Sequence, residues 1–465
     1  MAVIHKFEQN GVKMLLDANS GALHIIDDII YDVIDYYKDY NRQAIVDKLS
    51  QKYDKNAILE AIDELKELED NGLLYTEDSY ESIATKNGEN SYIKALCLNI
   101  AHDCNLRCKY CFASKGDYHG KRSLMSEEVG KAAIDFVIEK SGSRKNIEVD
   151  LFGGEPLMNF DVAKSIVEYG NEQGKIHNKS IRFTITTNAL LLNDNIIDYL
   201  DKNMSNVVLS IDGRKEVNDD IRVRVDGSGT FDSILPKIKK MVDRRTKGKQ
   251  YYVRGTFTSK NLDFYNDVIA LADMGFKEIS IEPVVLPDGD ELALKEEHLD
   301  TIFEQYDKLT EEILRRKKEG NDFKFYHFAI DIDGGPCIYK RISGCGAGFE
   351  YIAVTPEGDI YPCHQFVGNE KFKLGTVFDK TIDQEISQSF KDAHIYNKAK
   401  CKDCWAKFYC SGGCQANNFN FNNSVLMPYE LGCKMQNHII AITILTMYIK
   451  YNIIFIVKKR DRGKN

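Results

Sequence analysis

A chain of 465 residues exceeds what one hydrophobic core organises, so about two to four domains are expected. With 43% hydrophobic and 29% charged residues the composition is that of a soluble globular protein, and a net charge of −9 gives no overall pull toward nucleic acid or anionic lipid. The opening "MAVIHKFEQNGVKMLLDANS" has no apolar secretory core, which predicts a cytoplasmic chain whose twelve cysteines are reduced and serve metal binding or catalysis rather than disulfides.

The first unit is expected over residues 1–80. Ile58, Ile62, Leu65 and Leu68 fall at helical spacing, and Asn71-Gly72 stops the helix. "LLYTED" after it reads as a short strand, so helices followed by a strand pair suggest a winged-helix-like module. The bland role of such a module is DNA binding. Residues 1–90, however, carry nine Lys/Arg against nineteen Asp/Glu, a balance that repels phosphate. A peptide ligand is expected instead, and a nucleic acid is not. Residues 78–91, "DSYESIATKNGENS", are polar and aperiodic and read as a linker, with the boundary drawn at 81–92.

From 93 to 300 the chain alternates. Strands are predicted at 95–100, 147–152, 181–186, 207–211, 251–258 and 277–284, with helix-like segments such as "SEEVGKAAIDFVIEKSG" and "NLDFYNDVIALADMG" between them. This is an α/β pattern: six strands in βα alternation predict a parallel sheet, open or closed into a partial (β/α)6 barrel. Sites in such folds lie at the C-terminal ends of strands. The loop after the first strand and "FGGEP" (152–156) after the second therefore point to one rim.

That first loop is "AHDCNLRCKYCFAS" (101–114). It sets Cys104, Cys108 and Cys111 in a CxxxCxxC array with no fourth cysteine nearby; Cys97, in the apolar "LCLNI", reads as a small buried residue. Zinc would need His102 or His119 to complete four ligands. Three thiolates suit a 4Fe–4S cluster with one iron left open to an external ligand. With Tyr110 before the last cysteine, the array closely resembles the signature of the radical S-adenosylmethionine superfamily. There the open iron is chelated by S-adenosylmethionine, and one electron releases a 5′-deoxyadenosyl radical. The resemblance extends to "FGGEP", where Gly153 and Gly154 let the backbone approach the methionine moiety and Glu155 accepts from its ammonium. It extends also to "TITTNA" (184–189), offering Asn188 but with Ala189 in place of the usual glycine. "LSIDG" (209–213) supplies Ser210 and Asp212, and "NDDIRVRVDGSG" (218–229) supplies an arginine for the cofactor carboxylate, Arg222 by spacing, with Arg224 as second choice.

Eight further cysteines lie between 337 and 433. Cys345, Gly358, Cys363, then Cys401, Cys404, Cys410, Cys414 and finally Cys433 fill the pattern of the SPASM domain, expected over 301–436. That resemblance implies two auxiliary 4Fe–4S clusters: one held by Cys345, Cys363 and Cys414, the other by Cys401, Cys404, Cys410 and Cys433. Cys337 either completes the first or leaves it an open iron. His364 follows Cys363 where anaerobic sulfatase maturases carry an acidic base, and is a weak candidate for proton acceptor.

The order of an acidic module, a radical domain and a SPASM domain resembles peptide maturases that build thioether bridges. "CNLRCKYCFASKGDYHG", "EYIAVTPEGDIYPCHQFVG" and "CWAKFYCSGGCQAN" are similar to the maturases of the short six-cysteine clostridial peptides called SCIFF. The resemblance implies S-adenosylmethionine, three 4Fe–4S clusters, a small cysteine-rich precursor peptide as partner, and a flavodoxin or ferredoxin as electron donor. Two other readings stay open: side-chain oxidation of the sulfatase-maturase kind, giving formylglycine, and a metal- or redox-sensing regulator. Residues 437–465 fit the resemblance poorly and read like a shifted frame. "IIAITILTMYIKYNIIFIV" (439–457) has the length of a membrane span, but Lys450 and Asn452 interrupt it, so a buried helix or an unfolded stretch is expected there.

Overall fold

The structure, a computed structural model, describes residues 2–86, 92–329, 338–451 and 455–456. The chain opens with an antiparallel meander, β1 (Ile4–Gln9), β2 (Val12–Asp17) and β3 (Leu23–Ile25). Three helices follow, Asp28–Val33, Arg42–Leu49 and Lys55–Asp70. Their starts are fixed by Asp27, Asn41 and Asp54, whose side chains accept first-turn N–H groups. The strands thus precede the helices. No strand forms at "LLYTED"; Thr76 there donates its backbone N–H (2.9 Å) and hydroxyl (2.6 Å) to the buried Asp17 carboxylate. The reason the sheet escapes a periodicity search is β2 itself. Leu15 packs among the three helices, while Met14 and Leu16 pack on Ala406, Tyr409, Ile440 and Ile444. A strand buried on both faces shows no alternation.

The polar stretch after this module is a packed tether in its first half. A helix covers Glu81–Lys86, with Ala84 buried against Ile342, Ile395 and Phe408. Asp78 before it accepts from Tyr396 Oη (2.8 Å) and from Lys407 Nζ (2.7 Å), and the Lys407 side chain is 1% exposed.

All six strands read from the sequence form, as β4 (Ala95–Ala101), β5 (Asn146–Gly153), β6 (Ser180–Thr187), β7 (Asn206–Ser210), β8 (Gln250–Phe257) and β9 (Glu278–Pro283), and each pairs in parallel with the next. Alternation sorts their side chains. Leu96, Val149, Phe183, Val207, Val253 and Ile279 enter the core beneath the helices. Their neighbours Cys97 and Asp150, paired in register, and Tyr252, Arg254 and Glu282 face the other way, into the concave side. The sheet does not end at residue 300. β10 (Lys324–Phe325) pairs in parallel with β9, and β11 (Tyr351–Val354) pairs in parallel with β4 at the opposite edge. β12 (Asp359–Tyr361) and β13 (Gly375–Thr376) then continue it antiparallel, giving an open sheet of ten strands. The cysteine-rich region is therefore built onto the barrel edge.

The apolar tail begins as one helix, Glu430–Tyr451. It lacks an amphipathic stripe because it is covered on several sides: Ile439 joins the barrel core, and Ile440, Ile444 and Leu445 meet the N-terminal sheet. Its His438 stacks on Phe303 (4.3 Å between ring centres) and bonds Asp307 (3.1 Å). Among the described residues no helix is long and apolar enough to cross a membrane. The two-residue strand β14 (Phe455–Ile456) pairs in parallel with β3; the rest of the tail lies outside the described residues.

The Asp78–Lys407 pair joins the first unit to the last. Replacing Asp78 by Ala strands a buried ammonium and is expected to cost about 3–5 kcal/mol, read as a lower urea midpoint. The double variant Asp78→Leu/Lys407→Met should recover part of it. Burial pushes the Asp78 carboxyl up, but Lys407, the Tyr80 N–H and the Tyr396 hydroxyl together hold it below its ordinary value. Its contribution is thus present above the unfolded carboxylate pKa and lost as pH falls through the lowered folded one. A midpoint unchanged by Asp78→Ala would show that the pair does not hold the units together.

Candidate active site

The loop after β4 carries Cys104, Cys108 and Cys111 and is held on two sides. Arg107 N–H donates to Val223 O (2.7 Å) and Lys109 N–H to Ile221 O (3.1 Å). On the other side Gly154 N–H donates to Ala101 O (2.8 Å) and Glu155 N–H to Asp103 O (2.9 Å). The approach at Gly154 tolerates no side chain: a Cβ there would stand 2.2 Å from Asp103 O. Gly116 closes the loop from below, where a Cβ would stand 2.7 Å from that of Cys104.

The three thiols share one pocket with Tyr110, Gly153, Gly154, Asn188, Ser210 and Arg222, so most of the residues expected around the cofactor converge there. Burial pushes the Cys104 thiol up to about 12 and the Cys108 thiol to about 11, an environment that favours thiolate only when a cation or metal shares it. His102 and His119 do not line the pocket. His102 is buried and stacked on Tyr118 (4.6 Å between ring centres), with its Nε2 bonded to Asn99 (3.1 Å). Among the described residues no three His, Cys, Asp or Glu side chains converge as for a single metal ion.

Glu155 and Ala189 sit around the pocket as follows. Glu155 is fully buried behind the pocket wall, where its carboxylate accepts from Leu157 N–H (3.0 Å), Thr187 Oγ1 (2.8 Å) and Asn188 N–H (2.8 Å). It pins the end of β6 to the "GGEP" turn rather than reaching into the pocket. Ala189, where glycine is usual, adopts φ 66°, the left-handed conformation that glycine holds without steric cost. Of the two arginines, Arg224 donates to Ser233 Oγ (2.6 Å) and does not line the pocket, whereas Arg222 does. Arg222 Nη1 donates to Tyr110 Oη (2.8 Å), which donates in turn to the buried Asp212 carboxylate (2.8 Å). Burial pushes Asp212 up to about 6, with Arg222 and Tyr110 opposing. Among the described residues, Arg222 Nε is buried without a partner. A guanidinium with a spare donor beside a glycine cradle and three thiols fits a ligand that brings a carboxylate to an iron–sulfur cluster.

The SPASM-type cysteines fall into two electrostatic groups. Cys363 feels Cys414 and Cys345, and Cys414 feels Cys345. Separately, Cys433 feels Cys410, Cys401 and Cys404. Burial pushes Cys401 up to about 11 and Cys433 to about 12. Between Cys410 and Cys414 three successive residues, Ser411, Gly412 and Gly413, take positive φ (64°, 79° and 74°), so the chain turns over on itself and sends the two cysteines to different groups. Cys337 lies outside the described residues.

His364 stands between the two regions. Its ring is 5.0 Å from Phe152 and 5.5 Å from Phe112, both of which line the first pocket, and Tyr351 Oη bonds its Nδ1 (3.2 Å). Burial, with Arg254 nearby, pulls its pKa down to about 4, so the imidazole is neutral near pH 7. Sequence reading missed Phe112, Phe152 and Gly116 as parts of this wall; the only signal is their proximity to the cysteine and glycine motifs. It also missed Tyr118, whose buried hydroxyl has no partner among the described residues.

Residues 98–257 match the Radical SAM superfamily, and residues 345–405 match the SPASM iron-sulfur cluster-binding domain. An uncharacterized protein of Methanocaldococcus jannaschii is 30% identical over 226 residues, which is 48% of this chain and 72% of that protein. The chain belongs to the radical SAM superfamily. Within it, the cysteine-type anaerobic sulfatase-maturating enzyme of Clostridium novyi is 24% identical over 339 residues, 69% of this chain and 87% of the relative. Among solved structures, Streptococcus suis SuiB bound to precursor peptide SuiA shares the fold with a TM-score of 0.54 at 17% identity, covering 92% of this chain and 98% of that one. As a radical SAM protein with a SPASM domain, the chain binds S-adenosylmethionine and iron–sulfur clusters.

The close approach at Gly154 yields a test. Gly154→Ala must displace the Asp103 carbonyl and with it Cys104. The variant is expected to fold, by circular dichroism, and to lose the iron of the first cluster while keeping the rest. Full iron content in that variant would mean the loop accommodates the methyl group and the cradle is not needed.

Proposed function

We propose that this chain is a maturase that closes a thioether bridge between a cysteine and another residue of a small, ribosomally made, cysteine-rich precursor peptide of the SCIFF type. The observation that carries the reading is the joining of three things in one body: a three-thiol pocket with a carboxylate-ready arginine, two further cysteine groups, and an acidic N-terminal sheet module packed directly on the second of them. In this reading Cys104, Cys108 and Cys111 hold the first cluster. Cys345, Cys363 and Cys414, with Cys337, hold the second, and Cys401, Cys404, Cys410 and Cys433 the third. Gly153, Gly154, Asn188, Ser210 and Arg222 hold S-adenosylmethionine.

When loaded, the cluster held by Cys104, Cys108 and Cys111 with S-adenosylmethionine would supply hydrogen-atom abstraction from an unactivated carbon, and clusters held by the later cysteines would supply a one-electron acceptor for closing the carbon–sulfur bond. The chain's own residues bind, orient and move protons. Arg222 fixes the cofactor carboxylate, backed by Tyr110 and Asp212. Neutral His364 Nε2 takes the proton of the substrate thiol. Phe112 and Phe152 wall the pocket and exclude water. The module of residues 1–80 engages the precursor, and a flavodoxin or ferredoxin supplies low-potential electrons. SuiB was captured with a precursor peptide, and its fold spans 92% of this chain, which supports a peptide as substrate.

The similarity to a sulfatase-maturating enzyme favours a second reading, oxidation of a side chain without a bridge. The two differ in thiol count. Reconstituted protein would be incubated anaerobically with the cysteine-rich peptide, S-adenosylmethionine and reductant, then alkylated and weighed. Loss of two hydrogens and one alkylatable thiol is the expected result; loss of two hydrogens with all thiols intact would establish oxidation instead. Removing residues 1–80 exposes the platform of Ala406 and Tyr409, so the docking role is better tested by charge reversal on the module surface, which should weaken peptide binding and leave slow cofactor cleavage intact. His364→Gln is expected to slow bridging by about 10²–10⁴-fold. Bridging at the wild-type rate in that variant would point to another base.

A further inference from the structure

Lys398 is 1% exposed, among the largest fully buried side chains of the protein. Its Nζ donates one hydrogen bond, to Gly412 O (2.9 Å). An ammonium has three donors, and a buried charge is costly unless it is paired. Among the described residues no ion pair holds it; the cysteines around its ammonium are Cys401 and Cys410 of one group and Cys414 and Cys345 of the other, and the His394 imidazole also lies near. The contact is built in: a Cβ on Gly412 would stand 3.1 Å from Lys398 Nζ, and Gly412 sits at the middle of the left-handed turn that parts Cys410 from Cys414. One lysine thus stands at the fork between the two cysteine groups with two donors left over.

We propose that Lys398 is the shared counter-ion of two iron–sulfur clusters, its ammonium bonding toward sulfur on both sides of the Cys410–Cys414 turn. The inference rests on the cluster assignment made above. A thiolate-ligated 4Fe–4S cluster is anionic, and reduction makes it more so. A fixed positive charge beside both would stabilise the reduced form of each. Lys398 touches neither the substrate nor S-adenosylmethionine; it acts through the clusters.

The test is a redox titration followed by electron paramagnetic resonance, on wild-type protein and on Lys398→Met and Lys398→Arg. Iron and sulfide analysis of the wild type comes first. If it holds iron for one cluster only, the auxiliary-cluster assignment fails whatever Lys398 does. With that in place, Lys398→Met is expected to move both auxiliary midpoints to more negative potential by at least the equivalent of a tenfold change, about 59 mV for one electron, with the first cluster unmoved and Lys398→Arg near wild type. Midpoints that stay put, or a shift of one auxiliary cluster alone, would overturn the shared role. Where Lys398→Met cannot retain auxiliary iron, retention in Lys398→Arg supports a need for the charge. Equal loss in both variants reduces Lys398 to a packing element and ends the proposal.

Discussion

Alternation of side chains along the parallel strands is the constraint on which the molecule depends. Every second residue of β4 to β9 must be apolar enough to bury beneath helices, and these are Leu96, Val149, Phe183, Val207, Val253 and Ile279. The residues between them are freed to be polar, because they face a concave side that the open sheet leaves unfilled. Asp150, Arg254 and Glu282 stand there. Charge in a protein interior is expensive, and the structure shows how it is met: Glu282 accepts from Ser280 Oγ (2.5 Å) and bonds His327 (3.0 Å), and although burial pushes its carboxyl up, His327 and Arg254 hold it well below the usual range. The reactive rim is what remains where strands end and loops begin.

At that rim, backbone closeness does most of the positioning. Cysteine loops have little apolar surface of their own, so they are held by chain passing against chain, which glycine alone permits. Gly154 and Gly116 grip the first loop. Gly412 and Gly413 turn the last one. Glu155 shows the same logic with a side chain, using three donors to tie two strand ends together.

The N-terminal module is joined to this chemistry by direct contact as well as by the packed tether. Trp405, next to Cys404, stacks on His5 at 4.2 Å between ring centres. Met14 and Leu16 cover Ala406 and Tyr409, and Lys407 reaches back to Asp78. The segment that carries cysteines of the last group is therefore also the floor on which the module rests. Ordering one favours the other, since both draw on the same packed residues.

Sequence alone determined the six parallel strands, the rim that carries the first three cysteines, and the partition of cysteines into motifs. Those features rest on local regularities: a period of two, and fixed short spacings along one chain. Tertiary structure decided the rest. It set the meander at residues 4–25, invisible because β2 is buried on both faces and so has no period. It turned a polar linker into a packed tether at Asp78 and Ala84, because burial depends on what lies opposite and not on the segment itself. It set Glu155 behind the pocket wall, since spacing gives a residue's place along the chain but not the direction of its side chain.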